Sequence, residues 1–474
     1  MEPVTTRVRA RCRGASPLPG KLEPWQIQLL EEPDRLSALL DAHGSPVNLI
    51  EPTAMGRNAA GLSEAAAGFG VDLGIYFARK SNKSLGLVDE AWRLGLGVDL
   101  ASERELTQAL ARGVPGESLM MTAAVKPPGL LEACIASGAT VAIDNADELD
   151  LLAAIAGDDG DGCPVALRLA PDLGPDRLPT RFGFGLGEAL AIVDRNWAAG
   201  REHALTLAGV HFHLDGYSAD DRVVALAQAI ELVDALRERG HAPRFIDIGG
   251  GIPMSYLESE GDWLEFWRRH EDGLLGRGDP LTFDGHELGA VYPYFQEPVR
   301  GEWLRSVLGG ELPSGGTVAE ALRDRSLLLR CEPGRSLLDG CGMTAARVRH
   351  RKQRADGTWL IGVEMNRTQC RSTSDDFMVD PLLVRPAGSG GTSSTGPVEG
   401  YLVGAYCIER ELLTWRRLSF PDGVEVGDIV VFPNTAGYLM HILESASHQI
   451  PLAKNLLVGA DTDAEPELDA IDVG

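Results

Sequence analysis

The chain has 474 residues, 44% of them hydrophobic, and a formal net charge of −25. That length calls for more than one core. The acidity excludes nucleic acid and anionic membrane as partners, since either would repel the chain; no run of about 18 apolar residues marks a membrane helix.

The first residues carry Arg7, Arg9, Arg11 and Arg13 with no apolar stretch behind them, so a frayed start is expected, not a secretory leader. The cysteines, at 12, 134, 163, 331, 341, 370 and 407, form no CxxC and have no paired histidine spacing. No zinc or other metal site is expected, and the dispersed thiols point to the reducing cytoplasm.

From about residue 48, short β-like runs alternate with Ala/Leu-rich helical stretches. The runs are 74–80, 98–102, 118–123, 140–145, 164–170, 209–214, 245–250 and 326–332. Helical patterns at 103–112, 146–156 and 220–239 separate some of them. Helices between strands imply parallel pairing, because parallel neighbours need a crossover. Eight such strands predict an α/β fold with a (β/α)8, TIM-like barrel; an open doubly wound sheet is the alternative. An aromatic-rich insertion spans 254–318, and AGSGGTSSTGPVEG at 387–400 reads as a flexible surface loop. Beyond residue 340, runs at 344–349, 359–364, 401–403 and 429–432 look like strands without regular helices. The expected division is an N-terminal segment 1–50 partly joining the β domain, a barrel 51–340 and a β-rich C-terminal domain 341–474.

Chemistry-bearing residues cluster at strand ends. Lys80 is one of six lysines and closes the apolar run Ile75-Tyr76-Phe77-Ala78-Arg79-Lys80. At the active-site rim of a barrel, a partly desolvated lysine with a lowered pKa forms an imine with a carbonyl; a surface lysine is the plain alternative. Gly249, Gly250 and Gly251 follow Phe245-Ile246-Asp247-Ile248, where bare N–H groups can hold a phosphate or simply make a tight turn. Glu332 and Arg335 stand in Glu332-Pro333-Gly334-Arg335, as a charged site or a surface turn. His211 and His213 share one face if both lie on a strand, but no third metal ligand is obvious, and stacking on a planar ligand suits them equally.

Taken in order, Phe77-Ala78-Arg79-Lys80-Ser81-Asn82, Asp99-Leu100-Ala101-Ser102-Glu103-Arg104-Glu105-Leu106, His211-Phe212-His213, Gly249-Gly250-Gly251, Glu332-Pro333-Gly334-Arg335, Cys407 and Ala436-Gly437-Tyr438 resemble the fold-type III decarboxylases dependent on pyridoxal 5′-phosphate (PLP). That family includes ornithine, arginine and diaminopimelate decarboxylases and shares the alanine racemase-like fold. The resemblance runs from about residue 45 to 458. It implies PLP as cofactor, Lys80 as its Schiff-base lysine, and His213 stacked on the pyridine ring. It implies Gly249, Gly250, Gly251, Arg335 and Tyr438 as phosphate ligands and Glu332 as the partner of the pyridine nitrogen. Asp99, Glu105 and Arg168 match polar groups around the cofactor. Cys407 matches the cysteine that reaches the other subunit's site in a homodimer and protonates the carbanion. Ile408, Glu409 and Arg335 fall at substrate positions. The implied reaction is α-decarboxylation of a small-molecule amino acid, with Cys407 or Lys80 returning the proton.

Three departures stand out. Ile408 occupies the place where the family carries an acidic residue that reads a distal amino group, with Glu409 one position later. An apolar residue cannot pair an ammonium, so an unusual or conjugated amino acid is expected in place of a simple diamino acid. Secondly, the family's Gly-Ser after the histidine is replaced by Leu214-Asp215-Gly216-Tyr217-Ser218, which leaves Ser218 as its candidate counterpart. Thirdly, the 254–318 insertion is either a substrate wall or a helical excursion packed on the barrel or at the dimer interface. The alternatives to a decarboxylase are a racemase or epimerase on the same fold, and a catalytically inactive regulatory homologue. Glu332 and Cys407 favour decarboxylation.

Overall fold

The computed structural model describes residues 4–157, 162–197, 204–373, 375, 377–389, 396–459 and 463–473. Eight parallel strands close into a barrel: Leu73–Ala78, Gly97–Leu100, Leu119–Met121, Thr140–Ile143, Cys163–Arg168, Leu205–His211, Phe245–Asp247 and Leu328–Cys331. Each is one of the eight runs read from the sequence, but the ladder stops before the apolar run does. The first strand ends at Ala78, and Lys80 stands in the following 3-10 turn, Arg79–Ser81. The sixth ends at His211, so His213 lies in the turn beyond it and the two histidines do not share a strand face.

Helices return the chain between strands, and their ends follow local chemistry. Ser102 accepts a hydrogen bond from the Glu105 N–H and Asn145 from that of Glu148, starting Glu103–Ala111 and Ala146–Ala156. Gly138 ends Pro128–Ser137 at φ 74°, a conformation that favours glycine. Leu149 and Leu152 face the strands and join the barrel core.

The 254–318 segment divides between two cores. Helix Arg300–Leu308 buries Trp303, Leu304, Val307 and Leu308 in the barrel core and packs on helices Ala54–Gly68 and Ala219–Glu238. This stretch is a helix packed on the barrel, in line with that one of the two readings of the insertion. Upstream, Tyr256, Leu257, Phe266, Leu281, Phe283, Tyr292 and Tyr294 join the core of the C-terminal sheet.

That sheet is built on the long strand Gly342–Gln353, which pairs with Val47–Ile50, Ile429–Pro433 and Trp359–Val363. Leu382–Val384, Val398–Val403, Leu418–Phe420 and Lys454–Leu457 extend it. The centre of the Gly/Ser/Thr-rich stretch, 390–395, lies outside the described residues. From Val4 the start of the chain is ordered: Val4–Arg11 is helical and Arg13–Gly14 pairs with Leu418–Phe420. Val8 and Cys12 are buried there and Arg9 donates to the Gly20 carbonyl at 2.6 Å, so an apolar run was not needed to order it.

The two layers are bonded just after Lys80. Ser81 O accepts from Tyr438 N at 2.8 Å, and Asn82 Nδ2 donates to Ala436 O at 2.9 Å. Lys83 forms an ion pair with Glu444, and its backbone N–H donates to His441 Nδ1 at 3.3 Å. Asp469 is fully buried and accepts from Ser84 Oγ at 2.5 Å, Leu85 N at 3.1 Å and Gly86 N at 3.0 Å. A carboxylate at the start of helix Leu85–Arg93 satisfies free N–H groups and meets the positive end of the helix dipole. Asp469→Ala leaves these buried donors unpaired and is expected to lower stability by about 2–3 kcal/mol, read as a lower urea midpoint with unchanged slope.

Candidate active site

Parallel closure puts the C-terminal ends of all eight strands on one rim. Lys80 stands there and donates from Nζ to Asp99 Oδ2 at 2.5 Å. Asp99 is fully buried on the second strand, and its other oxygen accepts from Thr122 Oγ1. The Lys80 side chain keeps 32% of its surface accessible. Burial opposes its charge, yet Asp99 and Glu332 outweigh that and raise its pKa. The expectation of a lowered lysine pKa is therefore overturned: desolvation is present, but a buried carboxylate sits closer.

Across the rim, Glu332 follows the eighth strand and is buried. Its Oε1 lies 3.2 Å from His211 Nε2, but out of line for a hydrogen bond, so neither atom has a partner. Asp247 Oδ2 is likewise unpaired. One ligand-type atom each from His211, Asp247 and Glu332 lie within 4.8 Å of one another. His213 is not one of them, so the group does not complete the pair of histidines. Burial pushes the carboxyls of Glu332 and Asp247 up, and Glu332 pushes Asp247 further. Burial also holds His211 and His213 well below the ordinary histidine range, so both are neutral near pH 7.

The glycine run turns beside them. Gly250 N–H donates to His213 Nδ1 at 3.1 Å, which leaves the ring proton on Nε2. A Cβ at Gly249 would meet His213 Nδ1 at 2.6 Å, one at Gly250 the Glu332 carbonyl at 2.9 Å, and one at Gly251 the Arg222 guanidinium at 2.3 Å. Gly249 and Gly251 also have φ of 64° and 73°. Only glycine fits this loop.

Arg168 ends the fifth strand, donates to Asp144 Oδ1 at 3.2 Å and lies 4.1 Å from the Phe182 ring centre. Glu105 accepts from the Ala101 N–H at 2.6 Å. Ser218 caps helix Ala219–Glu238 by accepting from Asp221 N at 3.1 Å. Arg335 stacks on Tyr292 at 4.0 Å and Tyr438 at 5.2 Å, and donates to Tyr256 Oη at 3.1 Å and Ser372 Oγ at 3.0 Å. No carboxylate among the described residues pairs with it. Tyr438 holds φ 71°, unusual for a residue with a side chain, beside its bond to Ser81. Tyr256, Tyr292 and Ser372 are the neighbours that sequence reasoning missed. The aromatic density of the insertion hinted at the tyrosines; nothing marked Ser372.

Cys407, Ile408 and Glu409 stand apart on an exposed loop, and no hydrogen bond or ion pair links them to the rim cluster among the described residues. Cys407 is the exposed one among seven free cysteines. Tyr406 anchors the loop, donating to Ser445 O at 2.9 Å and stacking on His448.

Residues 60–266 match the family described as pyridoxal-dependent decarboxylase, pyridoxal binding domain. An uncharacterized protein, y4yA of Sinorhizobium fredii, is 32% identical over 90% of this chain and 90% of its own. The chain belongs to the fold-type III PLP-dependent decarboxylases. The diaminopimelate decarboxylase of Pseudomonas aeruginosa is 25% identical, covering 84% of each chain. The crystal structure of diaminopimelate decarboxylase from M. jannaschii shares the fold at a TM-score of 0.70, with 18% identity, covering 91% of this chain and 90% of that one.

The cofactor of this decarboxylase is PLP, and the rim fits it. Glu332 Oε1 is an orphaned buried acceptor suited to a ring N–H, the glycine loop is packed so closely on His213, Glu332 and Arg222 that its backbone alone faces the rim, and the Lys80 side chain stays partly accessible. Among the described residues, no helix of the decarboxylase is long and apolar enough to cross a membrane.

Asp99→Asn would strand a charged lysine. The loss is expected at about 2 kcal/mol near pH 7, below that of a fully buried pair because part of Lys80 meets solvent. Lys80 is raised in the fold, so its pairing stabilises below the unfolded lysine value of about 10.4 and fades as pH climbs through the folded value. The difference between wild type and Asp99→Asn, read by urea unfolding of cofactor-free protein, should shrink above about pH 10.

Proposed function

We propose that this decarboxylase removes the α-carboxylate of an amino acid whose side chain bears no free distal ammonium. Ile408 carries that reading. It follows Cys407 with 44% of its surface exposed, and it offers nothing to pair a buried cation. The decarboxylases that resemble this chain include enzymes named for diaminopimelate, a diamino substrate; Ile408 separates this chain from them. Tyr256 and Tyr292 around Arg335 support a substrate with apolar or aromatic bulk.

In this reading the bound PLP supplies an electron sink for the charge left when CO2 departs. Lys80 would hold the cofactor, and Asp99, which accepts from Lys80 Nζ, would hold the charge of its ammonium whenever that amine is free. Glu332, buried beside neutral His211, keeps a proton at the ring nitrogen. His213 and the glycine loop fix the ring and phosphate ends, with Tyr438 and Arg335 at the rim, and Arg168 orients the cofactor from the fifth strand. Arg335 has no acidic partner among the described residues and also suits the substrate carboxylate. Cys407 returns a proton to the α-carbon from the second copy of a homodimer. The exposed loop, together with the exposed Ile408, Ile442 and Leu443, supports such pairing. The seven free cysteines agree with a cytoplasmic setting.

Screening amino acids, including N-acylated and aromatic ones, for CO2 release by the PLP-loaded enzyme tests the reaction and its substrate together. CO2 should come from a compound lacking a distal ammonium. Release from ornithine, lysine or diaminopimelate at higher kcat/KM would overturn the substrate reading, and α-deuterium exchange without CO2 would reveal a racemase. Lys80→Ala should lose both turnover and the absorbance of the bound cofactor. Ile408→Asp should shift acceptance toward diamino acids by about tenfold or more.

A further inference from the structure

Beneath the glycine loop lies a charge that the proposed reaction does not use. Arg222 stands in the first turn of helix Ala219–Glu238 and is fully buried. Among the described residues no carboxylate pairs with it, and its Nε and Nη1 have no partner. Its Nη2 donates to three backbone carbonyls: Leu214 at 3.3 Å, Gly216 at 3.1 Å and Gly250 at 3.1 Å. Two come from the turn after the sixth strand and one from the glycine loop after the seventh. One guanidinium thus fastens two neighbouring turns of the rim.

The peptide bonds that supply those carbonyls are trans. A trans peptide carries its C=O and N–H on opposite edges. Drawing in the carbonyls of Leu214, Gly216 and Gly250 therefore turns the N–H groups of Asp215, Tyr217 and Gly251 the other way. None of these three N–H groups donates to a protein acceptor among the described residues. Unpaired backbone N–H groups on neighbouring turns can form an anion-binding nest. Gly251 has no room for a Cβ because Arg222 Nη2 and the Gly216 carbonyl would be 2.3 and 2.8 Å away. The loop is pressed onto the guanidinium, which lies 5.9 Å from the Trp303 ring centre and has no carboxylate in hydrogen-bond range among the described residues.

We propose that Arg222 is a positioning residue for the cofactor's phosphate: it orients the backbone donors of both turns and sets its own buried charge behind the anion. This rests on the reading that the phosphate lies on the glycine loop. It gives the loop a cause outside its own sequence, and it means that cofactor affinity depends on a side chain the cofactor does not touch.

Pyridoxal, which lacks the phosphate, separates a phosphate role from a general one. The full-length enzyme is stripped of cofactor, and the dissociation constants of PLP and of pyridoxal are measured by absorbance for wild type, Arg222→Lys and Arg222→Met. Inorganic phosphate is added separately while the thermal midpoint is followed. Arg222→Met should weaken PLP by about tenfold or more and leave pyridoxal within about threefold. Phosphate should raise the midpoint of wild type and not of the variant. Arg222→Lys keeps the charge but cannot reach three carbonyls, and should fall between; it decides the question if the methionine variant does not fold. Equal loss for PLP and pyridoxal would assign Arg222 to structure alone, and unchanged PLP affinity would remove it altogether. Wild type that binds PLP no better than pyridoxal would instead defeat the underlying cradle reading. Gly249→Ala, which crowds His213 Nδ1 and the Phe212 carbonyl, checks that reading at a glycine that Arg222 does not bond.

Discussion

Eight strands that run the same way around a closed barrel finish at one rim, and the site depends on that single constraint. Residues far apart in the chain meet there because each occupies a strand end or the turn just past it. Lys80 comes from the first strand, Asp99 from the second, Arg168 from the fifth, the glycines from beyond the seventh and Glu332 from beyond the eighth. Closure also removes these groups from water. Asp99, Asp247, His211 and Glu332 are almost fully buried, and burying charge is unfavourable unless it is paired. Lys80 answers Asp99, while Glu332 and Asp247 are left with unpaired oxygens. A site with unfilled acceptors is stable because the rest of the barrel core packs tightly around it, and those acceptors are what a cationic ring nitrogen needs.

Much of this is written in local pattern. Apolar runs broken by helical stretches name all eight barrel strands, because a parallel strand buried on both faces has to be continuously apolar. Motif order then gathers Lys80, Asp99, His213, Glu332 and the glycines. Strand ends were less legible, since apolar residues continue past the last ladder bond to line the rim. The pKa of Lys80 was misread for a different reason: sequence shows that a residue is buried but not which carboxylate faces it. Tyr256 and Tyr292 were hidden in an insertion whose parts serve two cores, and Ser372 in a stretch without pattern. Nothing in the sequence sets Arg222 apart from the other charges of its helix; the Leu214, Gly216 and Gly250 carbonyls around it do.

The C-terminal sheet takes its order from one strand, Gly342–Gln353, with Val47–Ile50 supplied from before the barrel. The chain therefore enters the sheet, leaves to form the barrel and returns. The N-terminal helix and Arg13–Gly14 add to the same sheet, which is why basic residues without an apolar run are still ordered there.

Residues 81–86 are bonded to positions 436, 438, 441, 444 and 469. The turn that carries Lys80 is thus a seam between the two ends of the molecule. An exchange of C-terminal regions between relatives, by recombination or by design, would keep the Lys80 turn in place only if the incoming piece matched that seam. The two layers are separable in architecture and inseparable in inheritance.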